Sequence, residues 1–409
     1  MRSLFKVSAQ AALLFGLACA STLSIRIGYA DYWFRHRTIS STARAIAIVP
    51  GRSDYYFQLA AMESEENPQA ALTALHHAVA LNPFDARSWI ELGLRYEADG
   101  EMTRAGESLL RAAEVDKQYL PRWTLVNYYL RRNDITEFWV WAKEAAGMVY
   151  GDPLPLLQLC GRVSEDGKLI DRLLIKRPDT RVSYLSYLLN QKRLDLVAQP
   201  VRYLLEGNRL EDVPVLLTVC DRFIEANRVP EALAIWNTLA DAHSISFGRL
   251  SPEGGADLTN GSFALSPTSR GFDWRLPIVD GITAATEESP AGLRVMFSGD
   301  QPERCEPLVQ FAPVRERTEY HLSSRYLTSS IKDGSGLAWR ITDMNGVVLK
   351  DHPMVSSDTE IQTETSFVTP SGCRLVRLSL SYQRTPGTTR IDGFVALKSV
   401  DLKPSNQPR

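Results

Sequence analysis

The chain is poor in the residues that usually carry chemistry. Six histidines are scattered over 409 residues, and no GxSxG elbow, HExxH pair or phosphate-binding glycine loop occurs. That removes the common hydrolase, metallopeptidase and nucleotide-binding readings. Five cysteines occur without a CxxC or a Cys/His grouping, so zinc and thioredoxin-type sites are excluded as well. Charge of one sign is also missing, since 46 Lys and Arg face 48 Asp and Glu for a net charge of -2. Nothing here builds the field that nucleic acid or another polyanion requires. The adjacent pair His76-His77 falls in a predicted helix with no other ligand type at helical spacing and reads as structural. Glu65-Glu66 and Glu287-Glu288 lie in polar, turn-like segments and read as solvated. No enzyme, metal or cofactor is expected.

What is present begins with an apolar leader. Arg2 and Lys6 precede the uncharged stretch Val7 to Ile25, whose 19 residues match the roughly 18 needed to cross a bilayer as a helix. Ala18 and Ala20 around Cys19 form a small-residue cleavage site, whereas Tyr29, Tyr32, Trp33 and Phe34 form an interfacial belt beside an uncleaved anchor. Residues 1–34 are therefore a signal peptide or a membrane anchor, with the anchor favoured. The remainder is expected to be exported and held at the cell envelope, periplasmic and tethered to the inner membrane.

Beyond the leader the hydrophobic rhythm changes once, near residue 245. Up to Leu239 apolar residues recur every three or four positions, as in packed helices; from Ser262 they alternate with polar ones, as in half-buried strands. The fold class is multidomain, α then β. A helical domain is expected over 38–243, a linker over 244–258 and an antiparallel β-sandwich over 259–409.

The helical part is repetitive. Ala45–Pro50 (AIAIVP) returns 33 residues later as Ala78–Pro83 (AVALNP), and again 34 residues on as Ala112–Lys117 (AAEVDK). Between the last two stand Trp89, Leu92, Gly93, Tyr96, Gly100, Ala105, Leu109 and Ala112. Trp89, Leu92 and Tyr96 share one face of a first helix, Gly100 turns the chain, and Gly93 and Ala105 are small enough for two helices to approach closely. In type and order these residues resemble the tetratricopeptide repeat (TPR), with Lys117 departing from that family's usual proline. Trp123 and Ala146 repeat Trp89 and Ala112 at 34 residues. Diverged helical pairs continue over Leu154 to Leu174, Val182 to Leu205 and Val213 to Leu239, with turn signals at Asp166-Gly167, Gln191-Lys192 and Asn227-Arg228. The resemblance implies an α-solenoid whose concave groove, lined by first helices, holds a peptide or a protein partner.

After the Gly- and Ser-rich stretch 244–258, eight short strands are predicted: Arg294–Phe297, Pro307–Phe311, Tyr320–Leu327, Leu337–Ile341, Val347–Lys350, Ser366–Thr369, Arg374–Tyr382 and Phe394–Leu402. Asn260-Gly261-Ser262-Phe263, Gly271-Phe272-Asp273-Trp274, Gly292-Leu293-Arg294-Val295, Gln310, Phe367-Val368-Thr369-Pro370 and Ile391-Asp392-Gly393 follow in an order that resembles the galactose-binding-like jelly roll of carbohydrate-binding modules. The combination of leader, degenerate repeats and this module is similar to a bacterial protein group from exopolysaccharide gene clusters. The resemblance implies a non-enzymatic role in making or exporting a surface polysaccharide.

Alternation assigns the faces. Leu337, Trp339 and Ile341 point inward, as do Val376, Leu378, Leu380 and Tyr382. His321, Arg325, Arg340, Arg377 and Gln383 point outward and, with Trp274 as a stacking ring, form the candidate glycan surface; a plain solvated sheet is the alternative. In an oxidising compartment Cys305 and Cys373 form either a disulfide or two separate buried thiols, while Cys160 and Cys220 read as core. The functional expectation is an exported scaffold that recruits a protein through its groove and contacts glycan through its sandwich. The alternative is a glycan-active enzyme or accessory with a cryptic site in the helical half.

Overall fold

The computed structural model describes residues 2–164, 178–254 and 258–405. The chain forms two compact units, residues 1–177 and 178–409. The first consists of helices α1 (Arg2–Phe34), α2 (Ile39–Ile48), α3 (Ser53–Glu63), α4 (Pro68–Leu81), α5 (Ala86–Ala98), α6 (Met102–Val115), α7 (Tyr119–Arg131), α8 (Ile135–Met148) and α9 (Leu154–Val163). The turn expected at Asp166-Gly167, and the helix predicted to run on to Leu174, lie outside the described residues.

Local chemistry explains where these helices begin. The side chains of Asn67, Asp85 and Asp134 each accept a hydrogen bond from a first-turn amide, capping α4, α5 and α8. The ends are equally regular. Gly100 and Asn133 take left-handed backbone angles, and the next amide reaches back to the last turn, Glu101 to the Tyr96 carbonyl at 2.8 Å and Asp134 to the Tyr129 carbonyl at 2.9 Å. These closures fold α6 back on α5 and α8 back on α7, and α4 likewise pairs with α3.

The repeat-signature residues lie at those contacts. Leu92, Tyr96, Ala105, Leu109 and Ala112 are buried. Trp89 is half-buried, and its ring nitrogen donates to the Pro83 carbonyl at 3.0 Å. A Cβ on Gly93 would stand 2.7 Å from the Leu109 side chain, so the closeness of α5 and α6 depends on that glycine.

The second unit opens with helices as well: α10 (Pro178–Asn190), α11 (Ala198–Gly207), α12 (Val213–Glu225) and α13 (Val229–Asp241). Lys192 and Asn227 occupy the left-handed positions and close α10 and α12 in the manner of Gly100. Nine strands follow: β1 (Ile282–Glu288), β2 (Ala291–Ser298), β3 (Arg304–Pro313), β4 (Glu319–Ser329), β5 (Leu337–Asp343), β6 (Val348–Pro353), β7 (Ile361–Val368), β8 (Leu375–Gln383) and β9 (Asp392–Pro404). They build a five-stranded sheet in the order β1-β2-β9-β4-β7 and a four-stranded sheet in the order β3-β8-β5-β6, antiparallel throughout.

The inner faces share one core that includes Trp274, Trp339, Tyr320, Tyr326, Tyr382, Leu378 and Val395. β1 is an edge strand with little burial, and the sequence ITAATEE lacks the apolar alternation by which the other strands were predicted. Glu287 therefore sits in a ladder rather than a turn. Lys398 Nζ and Arg294 Nε donate to it at 2.8 and 2.7 Å and hold its carboxyl below the usual range, the lysine hydrogen bond most strongly.

Helices and sandwich in this unit are joined by a polar and aromatic seam. Asp221 of α12 accepts from Arg275 Nη2 at 2.7 Å and from the Gly271 amide at 2.7 Å. Trp236 of α13 is 1% exposed and lies edge-on to Phe272 at 5.8 Å. Gly271 has a φ of +56°, and a Cβ there would meet the Trp236 ring at 2.5 Å, so two independent constraints require glycine.

The stretch 244–254 has the composition of a tether but is pinned to α13. Phe247 stacks on Trp236 at 5.7 Å, and Asn237 exchanges hydrogen bonds with Leu250 at 3.0 and 2.9 Å. Gln310 fastens the following segment to β3 by donating to the carbonyls of Thr259 and Phe272 at 2.7 and 2.9 Å.

Candidate functional site

Among the clefts of the described residues, one in each unit has a lining suited to a binding site. In the first unit a cleft of about 420 Å³ opens between α3 and α5, both first helices of their repeats. Phe57, Ala60 and Ala61 line one wall and Glu91, Leu94, Arg95 and Ala98 the other, with Ala71 and Leu75 of α4 behind. Charged side chains near it bond across repeats. Arg87 reaches Asp54 at 3.5 Å, Arg131 binds both oxygens of Glu97 at 2.7 Å, and Arg95 donates to the Ser64 carbonyl at 3.0 Å. The floor that remains is apolar, and Glu91 is the one carboxylate among the lining residues. An apolar floor edged by one carboxylate and one guanidinium suits a peptide better than a small anion.

The second surface is the outer face of the four-stranded sheet, where an open cleft of about 520 Å³ is lined by Arg304, Glu306, Arg340, Thr342, Asp343, Arg377 and Ser381. Strand pairing sets the arrangement, because Arg340 lies opposite Asp351 on β6 and opposite Ser379 on β8. Arg340 binds Asp351 through two nitrogens at 2.8 and 3.0 Å. Arg377 does the same to Glu306 at 2.8 and 2.5 Å, and Ser379 Oγ donates to the same carboxylate at 3.0 Å. These contacts, the Arg377 hydrogen bonds first, hold Glu306 below the ordinary glutamate range. The cleft floor is thus a set of fixed donors and acceptors of both signs, with no aromatic ring among its lining residues. Such a floor can hydrogen-bond hydroxyl groups.

The six residues expected to form one glycan surface do not come together. Arg340, Arg377 and Gln383 lie on the four-stranded sheet, the last accepting from Arg304 at 3.1 Å. His321 and Arg325 belong to β4 of the five-stranded sheet, where His321 stands 3.4 Å from Glu364 and Arg325 donates to Ser399 at 3.0 Å. The outer faces of a two-sheet sandwich point in opposite directions, so parity alone had merged two surfaces into one. Trp274 is fully buried between Phe263 and Trp339, at 5.4 and 6.2 Å, and donates its ring N–H to the Asn260 carbonyl at 3.2 Å. A ring without exposed surface offers no platform for a sugar.

The disulfide expectation is corrected too. Cys305 pairs with Tyr382 at one end of the β3–β8 ladder, while Cys373 precedes Leu375, which pairs with Pro313 at the other. At about 3.3 Å per residue the ladder between them is about 26 Å long, far beyond the roughly 7 Å that a disulfide tolerates between Cα atoms. Both are free thiols, and burial pushes Cys305 up to about 11. Cys160 and Cys220 are fully buried in helices, as expected of core cysteines. His76 and His77 each face a tyrosine, His76 Nε2 lying 2.8 Å from the Tyr96 hydroxyl and His77 stacking on Tyr56 at 5.1 Å.

Glu306 and Asp351 were missed by sequence reasoning. The bulge between Cys305 and Leu308 shifts the parity by which Glu306 would have been assigned outward, and β6 is too short and polar to alternate clearly. Arg340 and Arg377, whose outward parity was legible, are the signal that leads to this face.

No family model matches the chain, and no curated protein matches it. Among solved structures, one described as "CBM4 structure and function" is 9% identical over 36% of this chain and 98% of its own, with a TM-score of 0.29. MamA is 21% identical over 34% of this chain and 78% of its own, with a TM-score of 0.26. YrrB, a TPR protein with an unusual peptide-binding site, is 15% identical over 51% of this chain and 95% of its own, with a TM-score of 0.24. At these TM-scores the likenesses carry no argument, and the fold class rests on the helices and sheets themselves. It is a helical-repeat array followed by an antiparallel β-sandwich, preceded by a helix, Leu13–Phe34, that is long and apolar enough to be a signal or an anchor.

Proposed function

We propose that the chain is a membrane-anchored, non-enzymatic binding protein of the bacterial cell envelope. In this reading its solenoid takes a protein partner and its sandwich contacts a polysaccharide during exopolysaccharide biosynthesis or export. The polar cleft on the four-stranded sheet carries the reading, because its bidentate Arg–carboxylate pairs hold donors and acceptors rigid in an open, sugar-sized depression. The anchor is supported by α1, whose exported end continues into the solenoid without a linker: Ala30 is fully buried and Asp31 accepts from Tyr55 at 2.5 Å.

The test is glycan-array binding by the full chain in detergent, with Arg340→Gln and Arg377→Gln as variants. Either substitution should weaken binding by about tenfold or more. No binding to any polysaccharide, or binding indifferent to both substitutions, would sink the sugar role. A fragment beginning at residue 250 is unsuitable, since it cuts the Asp221–Arg275 pair and strips Trp236 from Phe272.

A further inference from the structure

The charge of this chain is unevenly placed. Residues 1–54 contain seven Arg or Lys and two Asp, although the whole chain has a net charge of -2. The excess gathers where α1 leaves its apolar stretch. There α2 folds back antiparallel along α1: Arg26 donates to the Ile48 carbonyl at 2.8 Å, Ala30 and Ala45 share a fully buried core, and Arg44 lies over the Trp33 ring at 4.6 Å. Thr38 and Ser41 form a reciprocal capping box that fixes the turn between the two helices. Tyr29 and Tyr32 remain 54% and 56% exposed on the same segment. Arg35, Arg37 and Arg44 are exposed, and among the described residues none of them pairs with a carboxylate.

We infer that this hairpin, residues 26–52, is a second membrane contact that docks on anionic phospholipid headgroups and fixes the base of the solenoid to the bilayer surface. The inference rests on the anchor reading above. Val7–Ile25 is about 28 Å long as a helix at 1.5 Å per residue, which fills the hydrocarbon layer. Tyr29, Tyr32 and Trp33 then stand at the interface, where such rings concentrate. Because α2 runs back beside α1, Ile48 returns to the depth of Arg26 and Arg44 to that of Trp33. Arg44 then stands about 12 Å beyond Ile25 and, past a headgroup layer of about 5–7 Å, within a Debye length of the surface, about 8 Å at physiological salt, where an arginine without a carboxylate partner is attracted by anionic lipid; Arg35 and Arg37 follow within about 6 Å further along the chain.

The test is amide hydrogen exchange over residues 35–52 of the full chain in nanodiscs of phosphatidylcholine, compared with discs that also contain phosphatidylglycerol. Exchange should slow by about tenfold or more with the anionic lipid. The triple variant Arg35→Gln, Arg37→Gln, Arg44→Gln should abolish that difference while leaving the hairpin core intact, and salt of about 1 M, with a screening length of about 3 Å, should do the same. Equal exchange in the two lipids, or a difference that survives the variant, overturns the headgroup contact and leaves the anchor standing. A chain that is recovered in neither disc overturns both.

Discussion

The α5–α6 and α7–α8 hairpins close with the same left-handed turn as α10 and α12, yet the two sets pack against different neighbours. In the first set each hairpin meets another hairpin, and small residues such as Gly93, Ala105 and Ala112 set the spacing. In the second, α12 and α13 meet a β-sandwich, and the contacts are made by Asp221, Trp236, Arg275 and Gly271. The repeat signature fades where the neighbour changes. A repeat pattern records what its residues pack against, so its decay here marks a new partner rather than a loss of helices.

Trp236→Ala should break this contrast most severely. Loss of a fully buried indole costs about 3–5 kcal/mol, and in denaturant unfolding the transition of 178–409 should move while that of the solenoid stays in place. A shift shared by both would show that the two sets of helices melt as one block. Asp221→Ala follows, at about 3 kcal/mol, because it removes the carboxylate partner of Arg275 and the acceptor of the Gly271 amide. Gly93→Ala is the counterpart in the solenoid. Crowding against Leu109 should cost about 1–3 kcal/mol and lower the urea midpoint of residues 1–164 alone.

Acidification should weaken the outer-face ion pairs of the sandwich. Glu287 and Glu306 are held below the ordinary value of 4.5, so their contribution is present above that value and is lost as pH falls through the lower folded values. Thermal melts carried down to about pH 3 should show the loss, and Arg377→Gln should flatten it by returning Glu306 to an ordinary titration. Arg325→Ala is the smallest change. Its contacts to Ser399 and Glu360 are exposed, and stability should stay within about 0.5 kcal/mol of the parent in the same melts.

Much of the fold was legible because it is periodic. The spacing of Trp89, Leu92 and Tyr96 and the alternation of Leu337, Trp339 and Ile341 report burial directly, and all but Trp89 of these are buried. β1 escaped because an edge strand has little buried face to imprint on its sequence. The candidate glycan surface was read only in part. Alternation separates inside from outside but does not say which sheet a strand joins, so His321 and Arg325 were grouped with Arg340 and Arg377 across the thickness of the sandwich. Trp274 was misread for a related reason: it lies outside any strand, where parity gives no answer.

Local order, then, was determined by the sequence alone: helices from three-and-four spacing, turns from Gly100, Gln191-Lys192 and Asn227-Arg228, strands from alternation, and an apolar leader flanked by basic residues. These are interactions between residues close along the chain, which leave a period behind. Tertiary structure decided what lies opposite what. Asp221 meets Arg275 across 54 residues, Glu306 meets Arg377 across 71, and Cys305 and Cys373 end at opposite ends of one ladder. Pairings of that kind depend on strand order and register, which are settled when the sheets assemble around their shared core and leave no period in the sequence.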